Sequence, residues 1–147
     1  MNFVRVSRLS AAAAVLMIGS AAFAQASSYT PGTVWTFTNV KVEPGHFENY
    51  LDFLDHDWKK LNEFGVKEGY IVSYHVFQVN NVRSGEPDLI LAVESKDYLT
   101  NAQQLEIQKK VEAFMAMDAH KFDTANGDRK AIRKLDGGME LQELKLK

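Results

Sequence analysis

No cysteine occurs among the 147 residues, prolines number three, and basic and acidic side chains nearly balance at 17 and 19. Each shortage excludes something. Without cysteine there is no disulfide, no thiolate nucleophile and no cysteine-ligated metal. A formal net charge of −2 excludes the broad basic footprint of non-specific nucleic-acid binding, so no nucleic-acid partner is expected. Glycine and proline are too sparse for a low-complexity chain. With 46% apolar and 11% aromatic residues, the composition is that of one folded domain.

Long apolar runs are also scarce, and the one present has a specific shape. Arg5 and Arg8 precede an apolar stretch from Leu9 to Ile18, followed by Gly19, Ser20 and Ala22-Phe23-Ala24. A positive end, a short apolar core and small residues at the cleavage positions make a secretory signal peptide, expected over residues 1–24. The stretch falls short of the roughly 20 apolar residues that a stable span needs, so no membrane anchor is expected after cleavage. The destination is the periplasm or the exterior. Removal takes away two arginines and no acid, which leaves a mildly acidic mature chain. Lacking disulfides, that chain must be held by its own core or by a partner subunit.

Residues 25–32, with Ser27, Ser28, Pro31 and Gly32, are expected to form a flexible leader, and residues 33–147 a single domain. From 33 to 42, Val34, Thr36, Thr38, Val40 and Val42 alternate with Trp35, Phe37, Asn39 and Lys41, which predicts a strand. Pro44-Gly45 breaks it. Phe47, Tyr50, Leu51, Leu54, Trp58 and Leu61 then recur at the spacing of one helical face, with Gly65 as the expected stop. Residues 70–79 alternate again, 80–87 form a polar loop, and 88–94 are nearly continuously apolar, which predicts a hairpin. A second helix is expected from Asp97, with Ile107, Val111, Phe114, Met115 and Phe122 on a stripe facing the sheet. Residues 123–128, containing Asn126-Gly127, are expected to interrupt it. A short basic turn through Arg129, Lys130, Ile132 and Arg133 follows, and Gly137-Gly138 leads into a last strand over 139–146. The order βαββαβ predicts an α+β ferredoxin-like plait, a four-stranded antiparallel sheet with helices on one face.

The strand ending at Pro44-Gly45, the helix carrying Tyr50 and Trp58, and the strands introduced by Gly69-Tyr70-Ile71 and Asp88-Leu89-Ile90-Leu91 resemble the dimeric α/β-barrel superfamily. That group includes antibiotic-biosynthesis monooxygenases, haem-degrading monooxygenases and chlorite dismutase-like proteins. The resemblance spans residues 33–146 and implies a homodimer paired sheet against sheet, with a cavity between sheet and helices or within the barrel. An unpartnered sheet face bearing large apolar side chains calls for the same arrangement. Some of these monooxygenases place an asparagine on the first strand, which Asn39 matches in kind. The haem-degrading members carry a tryptophan and a histidine on the second helix. Here Trp58 lies on the first and His120 near the end of the second, so haem degradation does not carry over.

If Val34, Val40, Val72 and Val76 pack against the helices, then Trp35, Phe37, Asn39, Ser73, His75 and Phe77 face the partner sheet; both faces are substantially apolar, so alternation leaves the opposite assignment open. Asn39 and His75 are the candidate catalytic pair, or else a hydrogen-bonded polar pair in a dimer core. His46 and Tyr50 are candidates for the open end of a pocket, against the plainer reading of His46 as an exposed first-turn residue. Asp55-His56-Asp57 points three ways around a helix and cannot grip one ion. No zinc-spaced histidines, glycine-rich phosphate loop or nucleophile elbow is present, so neither metal nor cofactor is expected. Three functions follow. The first is a small apolar or aromatic ligand held in a sheet-lined cavity; the second is a cofactor-independent monooxygenase in which Asn39, His75 and either His46 or Tyr74 position substrate; the third is a structural dimer without ligand.

Overall fold

The structure is a computed structural model that describes residues 26–147; the expected signal peptide lies outside them. Strand β1 (Tyr29–Val42) is followed by α1 (Phe47–Phe53), a π-helical turn (Leu54–Trp58) and α2 (Lys59–Glu68). Next come β2 (Ile71–Gln78), β3 (Leu89–Ser95), α3 (Asn101–Met115), α4 (Ala119–Asp128), a 3-10 turn (Arg129–Ala131) and β4 (Arg133–Leu146). The sheet order is β2-β3-β1-β4, antiparallel throughout. This is the expected ferredoxin-like α+β plait. Among the described residues no helix is long and apolar enough to cross a membrane.

Packing on β1 settles which face is covered. Val40, fully buried, lies opposite Leu89, and both pack with Leu91, Tyr50 and Leu54 beneath α1 and the π-helical turn. Phe47, Leu51, Phe53, Trp58 and Ile132 close around this core. Asp88 ties the start of β3 to the end of β1, its carboxylate accepting from Lys41 Nζ and from the Val42 N–H, both at 2.8 Å.

Several boundaries differ from expectation, each for a local reason. β1 begins at Tyr29, opposite Leu146, so residues 29–32 are a paired strand end and not a free leader. Gly65 does not stop the helix; it is buried inside α2, where a Cβ would collide with the Ile71 side chain. Gly69 is the stop, with φ +82° and its N–H donating to Gly65 O. Residues 123–128 are not a break either, because α4 runs through them. Asp118 caps its N-terminus by accepting from the Lys121 N–H at 2.9 Å, and the chain turns instead at Ala116, which adopts a left-handed conformation. Tertiary packing and a good cap outweigh the turn preference of Asn126-Gly127.

β4 starts six residues before its expected beginning, and Gly137-Gly138 form an irregularity within it. The register shifts there, and a Cβ on Gly138 would strike the Phe37 carbonyl oxygen. The stripe on α3 was expected to face the sheet. Its aromatic member Phe114 instead stacks on Phe64 of α2 at 4.3 Å, Lys110 pairs with Glu68 at 3.0 Å, and no α3 residue is buried.

Candidate functional site

The eight residues singled out from the sequence divide between opposite sides of the sheet. On the open side, Phe37 pairs with Ala92 and Ala92 with His75, while Asn39, Ile90 and Phe77 form the adjacent row. Trp35 stacks on Phe37 at 6.0 Å and on His75 at 6.2 Å, and His75 stacks on Phe77 at 5.7 Å. Ser73 donates to Glu94 at 2.7 Å in the row of Trp35. These six residues therefore share one side of the sheet, opposite Val34 and Val40, although Val72 and Val76 remain exposed. The expected pairing does not hold: Asn39 and His75 stand two strands and one row apart, about 10 Å or more, beyond hydrogen-bond reach. This side is a surface within one chain. Phe77, Met139 and Leu141 are each about half exposed on it (49%, 53% and 50%), the latter two opposite Phe37 and Trp35.

His46 and Tyr50 lie on the covered side. His46 opens α1 and accepts the Tyr50 N–H at 3.0 Å through its carbonyl; its ring is half-buried, with Nδ1 unpartnered. It is not the exposed first-turn residue of the plainer reading. Tyr50 is a core residue. Burial pushes its phenol up in pKa, a shift opposed by Arg133 and, more weakly, Arg129.

Open hollows lie against the sheet on both sides, one between Leu51, Leu54, Tyr74 and Val76 and one beside Thr36, Phe37, Leu135 and Met139, and a more enclosed space lies between helices. A space of about 210 Å³ is walled by Phe53, Trp58 and Leu61 from the first helical segment and by Met115, Met117 and Phe122 from the second. Its charged wall residues are Asp57 and Arg129. The π-helical turn brings Asp57 and Trp58 onto this wall together; such turns recur at functional sites because they re-aim consecutive side chains. Neither Asn39 nor His75 borders the space.

Arg129 and Arg133 are the residues that sequence reasoning missed. The Arg129 guanidinium lies 4.1 Å over the Phe53 ring. Arg133, only 6% exposed, donates through Nη2 to Asn126 Oδ1. Nε of each is buried without a partner. Among the described residues no carboxylate oxygen lies within 4.0 Å of either guanidinium. Burial lowers the pKa of Arg129 first and repulsion from Arg133 adds to it, with Tyr50, Asp57 and Asp128 opposing. A guanidinium remains protonated under such pressure, so the covered side holds two cations, Arg129 with Asp57 and Asp128 in its field and Arg133 with no carboxylate in contact. The sequence signal was present as arginines four apart flanking Ile132, but a short basic turn ordinarily lies in solvent.

No family model and no curated protein matches the chain. Among solved structures, PA3566 of Pseudomonas aeruginosa is 18% identical, with 83% of this chain and 100% of that one covered and a TM-score of 0.43. A Shewanella loihica PV-4 protein provisionally described as a monooxygenase is 12% identical, covering 78% of this chain and 93% of that one with a TM-score of 0.40. Likeness at this level carries no argument about function. The fold assignment rests on the strand order described above.

Proposed function

We propose that the protein acts outside the cytoplasm as a homodimer paired through its open sheet face, and that each subunit binds one small apolar or aromatic molecule between its helices. The cavity carries this reading. At about 210 Å³ it exceeds the roughly 150 Å³ of an engineered apolar cavity that accepts benzene. Its aromatic and thioether walls suit a planar ring, methionine adapting to the shape of what it holds. The exposed Phe77, Met139 and Leu141 beside the Trp35 ladder support sheet-to-sheet pairing, since a patch of that kind is costly to leave in water. Ligand binding is the activity these walls support, because Asn39 and His75 lie on the other side of the sheet.

Thermal melts with single-ring compounds, combined with native mass spectrometry, test the proposal. The expected result is a dimer whose melting temperature rises with ligand, and an Ala125→Trp variant, which fills the cavity, that folds without responding. A response unchanged in that variant would place binding elsewhere.

A further inference from the structure

We infer that the ligand is a small monocarboxylate, its apolar body in the helix-lined cavity and its carboxylate on Arg129, with Arg133 behind as a second source of positive charge. The inference rests on the cavity reading above and adds the chemical class of the occupant. A buried charge is ordinarily paired or fully hydrogen-bonded, because taking it from water costs several kcal/mol that only an opposite charge or good donors and acceptors recover. Arg133 is more than nine-tenths buried; its neutral partners are the Asn126 amide oxygen and the Tyr50 hydroxyl, and it has no carboxylate. Arg129 has an aromatic face and an idle Nε. Two cations have thus been carried to the covered side of the sheet, and one of them, with Asp57, forms the charged part of the wall of a largely apolar space.

Three features narrow the anion. The planar guanidinium fork presents paired donors at the spacing of carboxylate oxygens. Arg129 is the one cation on the wall and the Asp57 carboxylate shares that wall, so the space suits one negative charge better than the two of a phosphate monoester. The volume admits one ring with a short substituent. An aromatic acid of one ring, or a branched aliphatic acid of similar bulk, meets all three requirements.

Phenylacetate and 2-phenylethanol, alike in ring and chain length but differing in charge, separate this inference from the reading beneath it. Isothermal titration of the mature protein should show phenylacetate binding more tightly. Arg129→Gln should weaken phenylacetate roughly 10- to 100-fold, as loss of a hydrogen bond to a charged group does, while 2-phenylethanol affinity stays constant and reports an intact cavity. Arg129→Lys, which keeps the charge without the fork, should fall between. Equal affinity for the two probes in the unaltered protein would overturn the anion assignment and leave the apolar site standing. A preference for phenylacetate that survives Arg129→Gln would overturn the role of Arg129. Failure of both probes to bind would overturn the cavity reading and the inference together.

Discussion

The two faces of the sheet are built from the same alternating strands, yet one is closed and the other open. On the covered face Val40, Leu89 and Leu91 meet Tyr50 and Leu54 and are lost from solvent. On the open face Trp35, Phe37, His75 and Phe77 stack chiefly on one another, and Phe77 remains half exposed. Large apolar side chains therefore serve two ends, determined by what lies opposite. Beneath helices they hold the monomer together. Without helices they form an aromatic surface that is only partly withdrawn from water.

Truncating one residue on each face separates these roles most sharply. Leu89→Ala removes a side chain 1% exposed at the centre of the core, and buried leucine truncations cost about 2–5 kcal/mol. Phe77→Ala should change monomer stability by less than about 1 kcal/mol, as expected away from a packed core. Urea denaturation at low protein concentration measures both. Comparable losses would mean that the open face is as integral to the monomer as the covered one, and the contrast would fail.

A second test leaves the core alone. Phe77→Asp with Met139→Asp places two charges on the open face at half-exposed positions. Sedimentation should show the unaltered protein as a dimer and this variant as a folded monomer, its melting curve independent of concentration. Buried charge at an interface has no comparable cost at an exposed surface. A variant that still dimerises would move the interface away from the sheet. Single-ring ligands should still raise its melting temperature, because the helix-lined cavity is on the other side.

The division between faces was legible in the sequence, but not which of them is covered. Alternation over residues 33–42 separated Val34 and Val40 from Trp35 and Phe37, and the strand register keeps that division; the burial of Val34 and Val40 shows which set lies inward. Alternation states which residues share a face; it does not state distance along that face. Asn39 and His75 were accordingly placed on one side and wrongly joined. The helix-lined cavity was harder to see. It depends on Met115, Met117 and Phe122 converging with Phe53 and Trp58 across a chain turn at Ala116, and neither that turn nor the π-helical one has a signature in residue spacing. Arg129 and Arg133 were hidden for a different reason. Four residues apart in a basic segment, they matched a solvated turn, and only the folded chain brings Arg129 over Phe53 and Arg133 beside Tyr50.

The smallest expected effect concerns the seam between the faces, where β1 and β3 are tied by Asp88. Burial raises its carboxyl pKa, but the hydrogen bonds from Lys41 and the Val42 N–H overcome that rise and leave it below the ordinary value of 3.8. A carboxyl with a lower pKa folded than unfolded contributes stability above the unfolded value and loses it as pH falls through the folded one. Asp88→Asn should therefore cost about 1 kcal/mol or less near neutral pH, because the pair is partly exposed. The difference from the unaltered protein should shrink progressively below about pH 4. Parallel denaturation series across that range measure it. A gap that persists in acid would mean that the asparagine disturbs the backbone at Val42, and that geometry rather than charge holds the β1–β3 seam.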